Sequence, residues 1–207
     1  MDTREKLIQI FKMFPGIGER QAGRFVYFFM SRNKTFINNF VNLLLKLNEE
    51  TKQCSECFRF FSEEGKSKNT LCDICRSSNT DRSTILVVER DSDLESIKNS
   101  RTYNGKYFVF GSLVPIVESN TNKTTRIEEL KKLVASKMKN GEIKEIILAF
   151  SLNPQGNHTD FYIRNELKNL VKSDEIKISS LGRGLSTGTE LEYSDNDTIR
   201  SALLNRQ

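Results

Sequence analysis

The sequence runs to 207 residues, 37 % hydrophobic and 29 % charged, enough to bury a core as one large domain or two to three small ones. Lys and Arg outnumber Asp and Glu by 32 to 27, a net charge of +5 with a pI near 9.0, and that excess favours a polyanionic partner. No apolar run approaches the roughly 20 residues that span a bilayer, and the N-terminal MDTREKLIQ is charged where a signal peptide would be apolar, so a cytoplasmic location is expected rather than a membrane or secreted one.

The first predicted helix covers Asp2 to Met13, with Leu7, Ile10, Phe11 and Phe14 in one apolar stripe. Pro15-Gly16-Ile17-Gly18 ends it. A second helix starts near Glu19 and is expected to bury Ala22, Phe25, Val26 and Phe29. A third, about Thr35 to Glu49, repeats the pattern with Phe36, Ile37, Phe40, Val41, Leu44 and Leu45. Two amphipathic helices joined by a Gly-x-Gly turn suggest a helix-hairpin-helix that grips nucleic-acid backbones without reading sequence. Gly16 and Gly18 let the backbone approach a phosphate, and the second helix aims free N–H groups and its positive dipole end at the anion. Arg20 and Arg24 lie at i and i+4, hence on one helix face, positioned to add charge-assisted phosphate bonds.

Between Lys52 and Arg82 the periodicity vanishes, and a segment this poor in apolar residues needs a staple. It holds all four cysteines as two pairs, Cys54-Ser-Glu-Cys57 and Cys72-Asp-Ile-Cys75. Each CxxC turn aims two thiolates at one point, and two such turns complete the closed tetrahedral shell of one structural Zn2+ per chain. A reducing compartment disfavours disulfides. An iron-sulfur cluster stays open as the alternative.

Beyond the finger, apolar strands alternate with helical patterns. Strands are predicted at Thr84 to Glu89, Tyr107 to Gly111, Glu145 to Phe150 and Ile176 to Ser180. Helices fall near Asp93 to Asn99, Thr125 to Met138 and Thr159 to Val171, and a short C-terminal helix spans about Asp197 to Asn205. The alternation predicts a mixed α/β fold with a parallel-rich sheet.

In the order hairpin, four-cysteine finger and α/β sheet, the chain resembles the RecR family of recombination mediators from nearly end to end. PGIGERQAGRF resembles that family's hairpin, with Arg20 and Arg24 on its DNA-contacting basic positions. ILVVERDSDL matches its VVE string followed by Asp, here Glu89 and Asp93. GRGLSTGTELEYSDNDT resembles the segment that usually reads RGLPVGGDLEYADETT, with Gly184, Gly188, Leu191, Glu192, Tyr193, Asp195 and Thr198 in register. The chain departs from the pattern at Ser186, usually Pro, at Thr80, usually Arg, and in the loop VPIVESNTNKTT. The resemblance implies a Toprim-like sheet and a ring-like homo-oligomer, dimer or tetramer, that encircles DNA. It also implies partnership with RecO and, in many bacteria, RecF, in loading recombinase. The expected domains are 1–51 for the hairpin, 52–82 for the finger, 83–182 for the Toprim-like sheet and 183–207 for a C-terminal interface segment.

Catalytic Toprim sheets hold Mg2+ between a Glu after the first strand and an Asp-x-Asp after a later one. Here Glu89 is present, but the later segment reads Ser151-Leu-Asn153-Pro-Gln155-Gly156 and carries no acid. A non-enzymatic protein is therefore expected. Glu89, Asp91 and Asp93 are expected to serve partner recognition, with RecO the candidate, or local structure. The enzymatic alternative, a Mg-dependent Toprim nuclease or primase, would use the same three acids. A second alternative is a zinc-ribbon interaction protein without DNA affinity. His158 is expected as an exposed residue at a helix start, and Gly182, Gly184 and Gly188 as a turn, since no P-loop Lys-Ser/Thr follows them.

Overall fold

Asp2 opens the first helix. Its carboxylate accepts the Glu5 N–H at 2.8 Å while Glu5 accepts the Asp2 N–H at 3.1 Å, a reciprocal cap that starts α1 at Thr3–Lys12. Helices α2 (Glu19–Met30) and α3 (Lys34–Glu50) follow, the latter opened by Asn33, whose side chain accepts the Phe36 N–H at 2.8 Å. The computed structural model describes residues 1–63, 69–117, 125–171, 176–182, 184–185, 188 and 190–204. Ser186 and most of the divergent loop between Val117 and Thr125 lie outside them. The chain forms two compact units: Met1–Thr51 with Ser62 and Glu63, and Lys52–Phe61 with the described residues from Asn69 onward.

In the first unit Phe11, Ala22 and Val26 are the buried centre. The Phe11 ring meets Phe14, Phe25 and Phe29 at centroid distances of 5.6, 5.5 and 5.8 Å. Phe25, expected inside, is 37 % exposed, and α3 buries no residue fully despite its apolar pattern. Three helices of this size offer more apolar stripe than they have interior to receive it. Leu43, Leu44, Leu45 and Leu47 consequently remain at the surface.

Strands β1 (Thr51–Gln53) and β2 (Phe60–Ser62) form a two-stranded ribbon, of which Lys52, Gln53, Phe60 and Phe61 belong to the second unit, and the single-turn helix α4 (Asp73–Arg76) follows in that unit. Strands β3 (Asp81–Val88), β4 (Gly105–Val109), β5 (Glu145–Ala149) and β6 (Lys177–Ser180) then build one sheet in the order β4-β3-β5-β6, every neighbouring pair parallel. The crossovers are α5 (Asp91–Ser100), α6 (Ile127–Lys139) and α7 (Pro154–Lys168). Side chains alternate faces along each strand. Ile85, Val87, Phe108, Ile146 and Leu148 pack with Leu130, Val134, Ile163 and Leu167 of α6 and α7. Leu86, Val88, Tyr107 and Val109 pack with Leu94 of α5. Cover on both faces is why Ile85–Val88 of β3 and Tyr107–Val109 of β4 read as unbroken apolar runs. A 3-10 turn at Leu191–Tyr193 and α8 (Asn196–Leu204) complete the described chain. Among the described residues no helix is long and apolar enough to cross a membrane.

Helix α7 begins at Pro154, ahead of the expected Thr159. Asn153 accepts the Gly156 N–H at 2.7 Å and Pro154 occupies the first turn, where its missing N–H costs nothing. His158 therefore sits inside a helix, half-buried, with Nδ1 buried and unpartnered among the described residues, which corrects its expected exposure. Gly156 packs so closely on Ser151 that an added Cβ would collide with the Ser151 carbonyl oxygen. Backbone cannot yield as a side chain can. Gly156→Ala should therefore destabilise the protein by about 1–3 kcal/mol, read as a lower denaturation midpoint in urea.

Candidate functional site

The hairpin of the first unit turns on Gly16. Its φ of +74° lies in the left-handed region that glycine adopts without strain, and the Ile17 N–H donates to the Phe14 carbonyl at 3.1 Å to close the turn. Gly18 has an ordinary φ of −83° and serves differently: as the residue before α2 it has no side chain with which to cap the helix. Among the described residues the first-turn N–H groups of Glu19, Arg20 and Gln21 have no side-chain acceptor, the arrangement that receives an anion. Arg20 and Arg24 are both exposed. Arg24 makes one long bond to Gln21 at 3.4 Å, and Arg20 has no partner among the described residues. The carboxylate of Glu19 is drawn to Lys12 at 3.6 Å.

The four cysteines of the second unit are buried, and their Sγ atoms all lie within 4.8 Å of one another. The first pair sits on a tight knuckle in which the Phe58 N–H donates to the Cys54 carbonyl and the Cys54 N–H to the Arg59 carbonyl. Phe58 turns the corner at φ +62°. The second pair belongs to α4, with Cys72 preceding its first residue and Cys75 in its turn. The Cys72 N–H donates to Cys54 Sγ at 3.4 Å, and Cys57 and Cys72 Sγ are 3.6 Å apart, hydrogen-bonded but not joined in a disulfide. Hydrogen bonds from Cys57, Cys72 and Cys75 hold the Cys54 thiol below its usual range, whereas the same crowding by Cys54, Cys57 and Cys72 pushes Cys75 up. Such a cluster cannot carry several thiolates without a cation, and its composition and spacing are compatible with a metal site.

The knuckles are not an appendage. Strand β4 is an edge of the four-stranded sheet, and the finger covers it: the Val109 N–H donates to the Cys57 carbonyl at 2.8 Å, and Lys106 Nζ donates to the Ile74 and Cys75 carbonyls, each at 2.9 Å. The Phe58 ring stacks edge-on against Phe108 at 5.5 Å, with the Arg126 guanidinium over its face. Buried Arg59 bridges Asp73 at 3.1 Å and Glu95 at 3.2 Å. Sequence reasoning missed both Arg59 and Lys106. A single lysine inside the apolar string Gly105–Phe110 was the available signal.

The acids after β3 stand where the strand order reverses, the position at which open parallel sheets take ligands. Each has a local partner. Glu89 is 9 % exposed and bound by Arg90 at 2.6 Å, Asp91 accepts the Phe60 N–H at 2.8 Å, and Asp93 accepts the Arg90 N–H at 3.1 Å to cap α5. Among the described residues only the cysteines bring three or more metal-ligating side chains together. Across the switch point, Asn153 caps α7.

The Toprim domain profile matches residues 84–181, the stretch that supplies most of this parallel sheet and the acids after its first strand, so this is a Toprim-domain protein, with the four-cysteine cluster preceding the matched residues. Similarity extends well beyond that domain. The recombination protein RecR of Phocaeicola vulgatus is 32 % identical over 202 residues, 98 % of this chain and 92 % of its own. Those of Lacticaseibacillus casei (34 % over 202 residues, 97 % and 94 %) and Neorickettsia sennetsu (32 % over 208 residues, 100 % and 99 %) match equally fully. The chain belongs to the RecR family of recombination proteins.

Proposed function

We propose that this protein is a DNA-binding clamp and adaptor in recombinational repair, acting without catalysis alongside RecO, and RecF where it is present, to promote recombinase loading. The observation that carries the reading is the uncapped start of α2 behind the Gly16–Gly18 turn, flanked by two exposed arginines. That arrangement grips phosphates of any sequence. The acids Glu89, Asp91 and Asp93 are the proposed partner-binding face, their negative potential suited to steering a basic surface.

Zinc is the proposed ion of the cysteine centre. Tetrahedral Zn–S bonds of about 2.3 Å separate sulfurs by about 3.8 Å. The Cys57–Cys72 distance of 3.6 Å, within a cluster no wider than 4.8 Å, accommodates such an ion with little rearrangement. Cys54, Cys57, Cys72 and Cys75 would hold it, and with four thiolates in place no position remains for substrate. Its contribution would be structural.

Assembly into a dimer or tetramer is supported by the apolar surface of the first unit. A groove of about 730 Å³ between its helices is lined by Leu7, Ile10, Phe14, Phe29, Phe40 and Leu44. Exposed apolar surface of this extent marks an association site.

The reading is tested by titrating duplex and single-stranded DNA across a salt series and measuring mass in solution with and without duplex. Binding should weaken steeply and linearly in log–log form with salt, show no sequence preference, and involve a species of two or four chains. Mg2+-dependent cleavage or primer synthesis would establish the nuclease or primase alternative. Absence of salt-dependent binding would leave a zinc-ribbon interaction protein.

A further inference from the structure

Lys106 is a buried cation that no described carboxylate neutralises. It lies on β4 with 4 % of its surface exposed, and both of its hydrogen bonds go to main-chain carbonyls, those of Ile74 and Cys75, at 2.9 Å. Arg59, the other buried cation beside the finger, contrasts with it, since its guanidinium is shared by Asp73 and Glu95. An ammonium removed from water is costly unless an anion stands near, and two neutral carbonyls compensate only part of that loss. Those carbonyls, however, belong to the turn that carries Cys72 and Cys75. Four thiolates around one divalent ion form a net dianion, itself costly to bury and without an internal counter-charge.

We propose that Lys106 is the counter-cation and positioning residue of the metal centre: its ammonium offsets the charge of the loaded tetrathiolate and fixes the Cys72–Cys75 turn to the sheet edge. The proposal rests on the zinc reading above. Each buried charge supplies what the other lacks, so metal affinity is set in part by a residue of the sheet that ligates nothing. Outer-shell partners of this kind change metal affinity by about 10- to 100-fold when replaced.

The test uses the full chain and Zn2+ itself, in competition with a chromogenic chelator, for the parent and for Lys106→Arg, Lys106→Gln and Lys106→Met. Glutamine retains hydrogen-bond donors without charge, methionine retains length without either, and arginine retains charge. Lys106→Gln and Lys106→Met should lose about 10- to 100-fold in Zn2+ affinity, whereas Lys106→Arg should stay near the parent. In Co2+-loaded protein the sulfur-to-metal charge-transfer band should move to lower energy in the glutamine variant and hold in the arginine variant, because a nearby cation lowers the energy of thiolate electrons. Parent-like affinity and spectrum in Lys106→Gln would overturn the proposal. So would an equal loss in Lys106→Arg and Lys106→Gln, which would mark packing rather than charge as the cause. Should the methionine variant fail to fold, the other two decide. A parent that takes up no stoichiometric Zn2+ would remove the zinc reading itself, and is recognised before any variant is compared.

Discussion

Reversing Arg20 and Arg24 to Glu should abolish DNA binding by the proposed hairpin while leaving the protein folded. Each arginine is placed to make a charge-assisted phosphate bond, worth about 1.5–3 kcal/mol, so losing both should weaken binding more than about 100-fold even before repulsion is counted. The fold has little to lose. Both side chains are exposed, and the only bond between them and the rest of the described protein is the 3.4 Å contact from Arg24 to Gln21. Substitutions of that kind stay within about 0.5 kcal/mol in stability, and a carboxylate in the first turn of α2 suits the helix dipole. Neutralising one arginine at a time should reduce the salt slope by about one unit, the mark of one lost phosphate contact. Anisotropy titrations on labelled duplex, paired with thermal melts, supply both readings. Affinity unchanged at low salt would show that DNA binds elsewhere.

Removing the proposed zinc, by chelation or by Cys72→Ser, should unfold the finger and loosen the sheet edge with it. Apparent zinc-binding free energies of small tetrahedral sites reach about 10–16 kcal/mol, as large as the whole stability of a typical domain, about 5–15 kcal/mol. The loss should not remain local. The Val109 amide is bonded to the Cys57 carbonyl, Lys106 holds α4, and Phe58 lies on Phe108, so the edge strand β4 loses its cover when the knuckles melt. Hydrogen exchange should accelerate across Lys106–Phe110 in the metal-free protein. The hairpin, with its own centre at Phe11, Ala22 and Val26, should keep its protection. Equal protection of β4 with and without metal would mean that the finger folds unaided and that the cysteines serve another purpose.

The secondary structure was legible to within a few residues wherever periodicity was strong. Strand β5 starts at the predicted residue and α2 at the predicted Glu19, because an apolar pattern of period two or of three to four dictates which face is buried. Helix α7 was misjudged at its start because Asn153 and Pro154, a cap and a first-turn proline, sit in a string that also reads as a loop. Phe25 and the stripe of α3 were misread for another reason: periodicity shows which residues share a face, not whether anything lies against it. The convergence of the four cysteines was legible, since two CxxC turns each bring a pair of thiols together.

By itself the sequence determined the order of helices and strands, the two CxxC pairs, and the hairpin with its two arginines, each written in a local pattern of spacing along the chain. Only the tertiary structure decided that the finger lies on the β4 edge, that Asp91 and Asp93 are engaged by Phe60 and Arg90, and that Lys106 is buried against the turn holding Cys75. These pairings join polar groups from separate elements, most of them distant in sequence. A buried N–H, carbonyl or charge takes whichever partner the folded chain brings within reach, and no local pattern announces which one that will be.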